Sequence, residues 1–317
     1  MEKYVYQMFI LGCENLDIAL QKGLEGAILF TKDIQNKNQL KNLIKNINTN
    51  SIIPPFISID QEGGRVERTE NIRPKRLSAR YAFKNGEAFL ESQSEEISKE
   101  LAEYGINLNF APCADVNTNP NNPIIGERSF SNTPLDVIKG VEIFTKASRK
   151  YNIIPCVKHF PGHGDADKDS HLTLPVINLS LDEMEKVHIK PFKSAIENDI
   201  EMIMVAHLHC TCFDKDTLPA SISKNVINYI RHTLKYDGVL ISDDMVMKGV
   251  QEYGELEACI LGINAGLDMF IYRNSDSKTL EMIKNLCKIV EKNPDMQEKI
   301  KKSYTRIINL KKKYFYK

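Results

Sequence analysis

The densest run of reactive side chains reads Lys158-His159-Phe160-Pro161-Gly162-His163-Gly164-Asp165-Ala166-Asp167-Lys168-Asp169-Ser170-His171. Its histidines, aspartates and glycines are too polar a mixture for a core segment. Asp169 and His171 are two residues apart, so in extended chain they share one side. A carboxylate beside an imidazole fixes its tautomer and raises its basicity. The pair therefore reads either as a proton shuttle or as a structural pair that orders the loop. Gly162 and Gly164 read as positions that let the 162–171 loop move, as a hinge, or adopt a positive φ. Elsewhere, Asp60 opens Gln61-Glu62-Gly63-Gly64-Arg65-Val66-Glu67-Arg68, and Asp243-Asp244 follows Ser242. His207 and His209 form an H-x-H pair of the kind that can ligate a metal. H-E-x-x-H is absent, and Cys210 and Cys212 lack a partner pair, so no metal is expected.

Such residues need elements to hold them. Short apolar runs recur at 7–12, 26–30, 56–60, 107–112, 155–160, 202–207, 239–243 and 269–273, separated by stretches with helical periodicity. Eight strand–helix units predict an α/β fold, a single (β/α)₈ barrel domain over 1–317. An open doubly wound sheet would call for a G-x-G-x-x-G turn after the first strand, which is missing. The spacing predicts helices over 86–104, with Phe89, Ile97 and Leu101 on one side, and over 134–150, with Thr133 as cap and Pro134 in the first turn. A helix over 181–198 is predicted behind a Ser180/Glu183 capping box, and another over 295–317. The Lys311-Lys312-Lys313 run reads as a solvated last turn that suits the helix dipole. In a barrel the loops after the strands form the reactive face. Asp60, Lys158-His159, His207 and Asp243 all end apolar runs, and that agreement makes them site candidates as a set. Any one of them alone reads equally well as a loop cap.

The 317 residues carry 42 Lys+Arg against 42 Asp+Glu, a formal net charge of +0. That argues against nucleic acid as a partner through bulk electrostatics. No run approaches a membrane span of about 18 apolar residues, and the N-terminus lacks the apolar stretch of a signal peptide. Seven scattered cysteines, with no C-x-x-C, read as free thiols in a reducing compartment. A cytoplasmic protein with no membrane association is expected.

Several motifs, in order, resemble glycoside hydrolase family 3. They are Asp60-Gln61-Glu62-Gly63-Gly64-Arg65-Val66, Gly126-Glu127-Arg128-Ser129-Phe130, Lys158-His159-Phe160-Pro161-Gly162-His163-Gly164 with Asp169-Ser170-His171, and Ser242-Asp243-Asp244-Met245. Ala265-Gly266-Leu267-Asp268-Met269 and Arg306-Ile307 with Leu310-Lys311 extend the match over nearly the whole chain. The Asp–His loop is similar to that of the β-N-acetylglucosaminidase branch, cytoplasmic enzymes of peptidoglycan recycling. The family's β-glucosidases instead take an acid from a second domain, for which this chain leaves no room.

The resemblance implies Asp243 as nucleophile, His171 as general acid/base and Asp169 as its orienting partner. It implies that Asp60, Arg68, Arg128, Lys158 and His159 hold sugar hydroxyls, and it leaves Asp244 without a role. It further implies a monomer that needs no cofactor and acts on small N-acetylglucosaminyl-anhydro-muropeptides. Thr69-Glu70 depart from the aromatic residue that relatives often carry there, which touches the outer substrate contacts. A histidine suits the acid role because its ordinary pKa of about 6.5 lies near working pH. Three other readings stay open: a phosphorylase of the same family, a non-catalytic sugar-binding barrel, and a metal-dependent hydrolase.

Overall fold

The structure is a computed structural model that describes residues 1–166 and 174–316. Eight parallel strands close into a barrel: β1 (Phe9–Gly12), β2 (Gly26–Leu29), β3 (Phe56–Ile59), β4 (Leu108–Asn109), β5 (Ile154–Phe160), β6 (Met202–Val205), β7 (Val239–Asp244) and β8 (Met269–Tyr272). Each pairs with its neighbours in chain order, and β8 closes on β1 through Phe9 opposite Phe270. The eight strands fall on the eight apolar runs, because a parallel sheet buried on both faces needs near-continuous apolar sequence.

Alternation along each strand sorts the side chains. Ile10, Ile28, Phe56, Ile154, Cys156, Val239 and Ile241 point inward and fill the barrel. Phe9, Leu11, Ile57, Ile59, Ile203 and Leu240 point outward into the layer beneath the helices. The same period of two carries the inward row onward from Ile154 and Cys156 to Lys158, and from Val239 and Ile241 to Asp243. Both polar residues thus reach the C-terminal mouth as continuations of core rows.

The Pro134–Lys150 helix has its Thr133 cap, and Ser180 and Glu183 form the reciprocal box. The Glu87–Tyr104 helix buries Leu90, Ile97 and Leu101, whereas Phe89 is exposed. Leu90 lies seven residues before Ile97, two turns, and Phe89 falls beside that stripe. The 181–198 segment is not one regular helix. It runs Leu181–Glu183, widens into a π-turn over Met184–His188 with Ile189 N–H donating to Met184 C=O, and resumes over Lys190–Glu197. Pro191 has no N–H to give and crowds the carbonyl of Val187, so the ladder shifts ahead of it.

The last helix, Pro294–Phe315, seals the floor of the barrel. Ile307, Leu310 and Tyr314 join the inward cluster. Lys312 and Lys313 are exposed in the last turn as expected, but Lys311 is not solvated: it is buried, pairs with Glu25, donates to Pro54 C=O at 2.6 Å and lies over the Phe56 ring. Lys313 pairs with Glu201 at 2.7 Å, and Arg306 with Asp268 at 3.1 Å. Glu25, Glu201 and Asp268 each directly precede a strand, so the helix is tied to three strand entrances at once. A two-stranded parallel ladder, Val176–Ile177 with His209–Cys210, stands beside the mouth, apart from the barrel sheet.

Candidate active site

A cavity of about 310 Å³ opens at the C-terminal mouth, lined by Asp60, Arg68, Arg128, Lys158, His159 and Asp243 among others. Six of the eight expected residues therefore meet there. Asp169 and His171 lie outside the described residues.

Lys158 is the hub of the wall. Its ammonium is 2.6 Å from Asp60 and 2.6 Å from Glu62. Arg128 grips Glu62 with both prongs, Nε at 2.9 Å and Nη2 at 2.8 Å, the geometry in which a guanidinium binds a carboxylate best. Burial would push the Glu62 carboxyl up, but Arg128 and Lys158 outweigh it and hold it well below the usual carboxylate range. Burial would lower the Lys158 ammonium, but Asp60 and Glu62 raise it, so it stays charged. Arg68 packs over the Phe30 ring, and its backbone N–H donates to Gln61 Oε1 at 2.9 Å. Gln61 is itself held by Glu67 and by the Asn109 side chain at the end of β4.

His159 presents Nδ1 to Asp115 at 2.6 Å and Nε2 to Arg128 at 3.2 Å. A guanidinium can only donate, so Nε2 accepts and Nδ1 carries the proton. Asp115 also accepts from the backbone N–H groups of His159 and His163. Burial would raise its carboxyl, but His159 and these bonds hold it well below the usual range. His163 lines the cavity as well, and burial lowers its imidazole to about 4, which keeps it neutral.

Asp243 faces the cavity, and its Oδ1 accepts from the Asp244 N–H at 2.7 Å. Burial would raise its carboxyl, but His159, His207, the Asp244 N–H and Lys158 lower it overall, so it is an anion at neutral pH. Asp244 points the other way. It pairs with Arg273 and accepts from the N–H groups of Val246 at 3.1 Å and Arg273 at 3.2 Å. The strand's period of two makes this division: one aspartate continues the inward row, and the next turns outward and braces β7 against the end of β8.

The H-x-H pair does not converge on one point. His207 bonds Ser221 Oγ at 2.7 Å and Asp244 C=O at 3.1 Å, while His209 takes the Leu218 N–H at 3.3 Å. Among the described residues a different trio, Cys113, Asp115 and His159, has potential ligand atoms within 4.8 Å of one another. Its members are already bonded together, the Cys113 thiol donating to Asp115 at 3.1 Å.

Gly162 has the positive φ that glycine permits, both Gly162 and Gly164 are closely packed, and residues 167–171 of the expected mobile loop lie outside the described residues. A Cβ on Gly162, whose φ is +124°, would stand 2.7 Å from His188 Cβ, and one on Gly164 would stand 1.7 Å from Val116 C=O. The first turn of this segment is also pinned: His163 C=O accepts from Asn122, and Gly164 C=O from the Asn119 N–H.

Residues 6–310 match the family model described as the glycosyl hydrolase family 3 N terminal domain. The chain belongs to glycosyl hydrolase family 3. Beta-hexosaminidase A of Pseudoalteromonas piscicida is 34% identical over 96% of this chain, which spans 56% of that protein. The beta-hexosaminidase of Tolumonas auensis is 31% identical, covering 87% of this chain and 83% of its own length. A family 3 beta-N-acetylglucosaminidase structure from Paenibacillus sp. str. FPU-7 superposes with a TM-score of 0.92 at 28% identity, over 99% of this chain and 62% of that one. The chain thus spans little more than half of some relatives and most of others.

Sequence reasoning passed over two residues of this family 3 site, Asp115 and the Glu62 clamp. Asp115 follows the apolar run of β4 as Asp60 follows that of β3, and the rule that found Asp60 would have reached it had the run been carried past Pro112.

Proposed function

We propose that residues 1–317 form one catalytic unit, a retaining exo-β-N-acetylglucosaminidase that removes terminal N-acetylglucosamine. The observation that carries this is an ionised, buried-edge carboxylate, Asp243, sharing a one-sugar cavity with the Lys158–Asp60–Glu62–Arg128 clamp and His159. The names of the relatives support the same sugar.

Asp243 attacks the anomeric carbon, and the glycosidic C–O bond breaks as His171, oriented by Asp169, gives its proton to the departing oxygen. The sugar is then held as an ester of Asp243. His171, now neutral, takes a proton from water, the water oxygen attacks the anomeric carbon, and the ester bond breaks to release the sugar and free Asp243. The clamp supplies charge-assisted hydrogen bonds to the ring hydroxyls, contacts that discriminate well because a missing hydroxyl leaves buried groups unpaired.

We assign the substrate to N-acetylglucosaminyl-anhydro-muropeptides of peptidoglycan recycling, met as a cytoplasmic monomer. No helix among the described residues is long and apolar enough to cross a membrane. The deciding experiment is product analysis with a purified muropeptide in phosphate buffer, followed by NMR. Free N-acetylglucosamine formed first as the β-anomer is expected. A sugar 1-phosphate would mean a phosphorylase, and an α-anomer would remove the nucleophile.

A further inference from the structure

Seven cysteines are present, and two of them differ from the rest. Burial pushes the thiols of Cys13, Cys113, Cys156, Cys259 and Cys287 upward, away from reactivity. Cys210 and Cys212 instead stand with their sulfurs 3.3 Å apart. Cys210 is buried, while Cys212 is half-buried and open to a small reagent.

The backbone explains the approach. In an extended strand, residues two apart are separated too widely for an ordinary disulfide. Here the chain turns: Phe213 N–H donates to Cys210 C=O at 3.0 Å, so Cys210 opens a tight turn and Cys212 sits within it. The turn draws the two side chains together, and the sulfurs need approach by only roughly 1.3 Å more to reach bonding distance. The two sulfurs share a hydrogen bond that either thiol can donate, so each already faces the other along the line on which a disulfide forms. Cys212, the more exposed of the two, is the sulfur a reagent reaches first and so the attacking one, and buried Cys210 is the resolving one.

The turn is attached to the ladder beside the mouth. His209 N–H donates to Pro175 C=O at 2.8 Å, and Thr211 N–H, between the two cysteines, donates to Ile177 C=O at 3.0 Å. Thr211 Oγ1 donates to Asn178 at 3.0 Å. Pinching Cys210 toward Cys212 moves the peptide that makes these last bonds.

We propose that Cys210 and Cys212 are a reversible dithiol site that exchanges with small-molecule disulfides to form an internal disulfide and loosens the Ile177–Thr211 contact. In the exchange, the Cys212 thiolate attacks one sulfur of the disulfide and expels a thiolate, which takes up the proton Cys212 gave to solvent. Cys210 then loses its proton and attacks the Cys212 sulfur, expelling the second thiol. The protein loses two protons and two electrons, and the small disulfide takes up both to become two thiols.

The test equilibrates the full chain with glutathione at varied ratios of reduced to oxidised form. Free thiols are alkylated and the protein is cut with trypsin, whose 194–215 peptide carries both cysteines. The expected product is that peptide lighter by two hydrogens, restored by dithiothreitol, with faster hydrogen exchange at the Thr211 amide. C210S should stop at a glutathione adduct on Cys212, and C212S should form neither product. Two free thiols, or an adduct alone, in the oxidised parent protein would overturn the site. A disulfide that leaves Thr211 exchange unchanged would overturn the link to the ladder. If the proposed glycosidase reading holds, oxidation also lowers kcat/KM several-fold and reversibly. Absence of turnover in both redox states counts against that reading alone, because mass and exchange decide the dithiol.

Discussion

The Asp115 carboxylate holds His159 Nδ1 at 2.6 Å with one oxygen and the His163 backbone N–H at 2.6 Å with the other. One buried side chain therefore sets the tautomer of a cavity residue and fixes the start of the segment that leads toward Asp169 and His171.

Asp115→Asn tests that coupling. An amide has one accepting oxygen, so one of the two donors meets an N–H₂ group instead. A buried donor left unsatisfied costs about 1–3 kcal/mol. A lower Tm and a fall in kcat/KM of roughly ten-fold or more are expected, the rate loss coming from a displaced His159. Unchanged kinetics in a destabilised protein would confine Asp115 to a structural part.

The two adjacent aspartates should separate cleanly. Asp243→Asn keeps shape and removes the anion, so turnover should drop by roughly three orders of magnitude or more while sugar binding survives. Asp244→Asn weakens a partly exposed pair, since the Arg273 side chain is 41% accessible. Its cost should be about 1 kcal/mol of stability or less, with little change in rate. Thermal unfolding and steady-state kinetics on both variants check this. The reverse pattern would assign the nucleophile to Asp244.

Much of this arrangement is legible in the sequence. Strands buried on both faces announce themselves as apolar runs, and the polar residues that end them converge because a barrel sends every strand end to one mouth. Asp60, Lys158 and Asp243 were found that way. Lys311 was not, because charge type suggests solvent, yet its spacing of four from Ile307 and three from Tyr314 places it on the buried stripe. Its partner Glu25 is far away in sequence, and no local pattern announces such a pair. The positive φ expected of these glycines is present at Gly162, but the close packing of Gly162 on His188 and Gly164 on Val116 was not legible, because those neighbours are far away in sequence.

Glu25 offers a pH-dependent test. Burial raises its carboxyl to about 7 despite Lys311, above the unfolded value of about 4.3. The folded state thus binds this proton more tightly, and stability contributed by Glu25 is full below about 4 and is lost as pH rises to about 7. His163, lowered to about 4, acts in the opposite sense: its contribution is full above about 6.5 and is lost as pH falls toward 4. The two offset each other in the parent protein. Glu25→Gln should therefore gain stability relative to the parent as pH rises from about 4 to 7, on the order of 3 kcal/mol. Denaturant unfolding across that range measures the difference, and a difference independent of pH would refute the assignment.

The acid role proposed for His171 can be tested by the leaving group. A departing sugar alkoxide needs a proton as the bond breaks, whereas a dinitrophenolate leaves readily without one. General acid assistance is typically worth about 10²–10⁴-fold. His171→Ala should therefore lose about that factor in kcat/KM on a disaccharide and much less on a dinitrophenyl N-acetylglucosaminide, because this ratio reports the steps through formation of the ester. With the activated substrate the ester should accumulate, since the second step also lacks its base, and an added small nucleophile such as azide should then speed turnover and yield the β-glycosyl azide. Asp169→Asn should move the same way by a smaller factor, its imidazole partner being present but less well held. Equal losses on both substrates would take the proton transfer away from His171 and return it to a group on the described cavity wall.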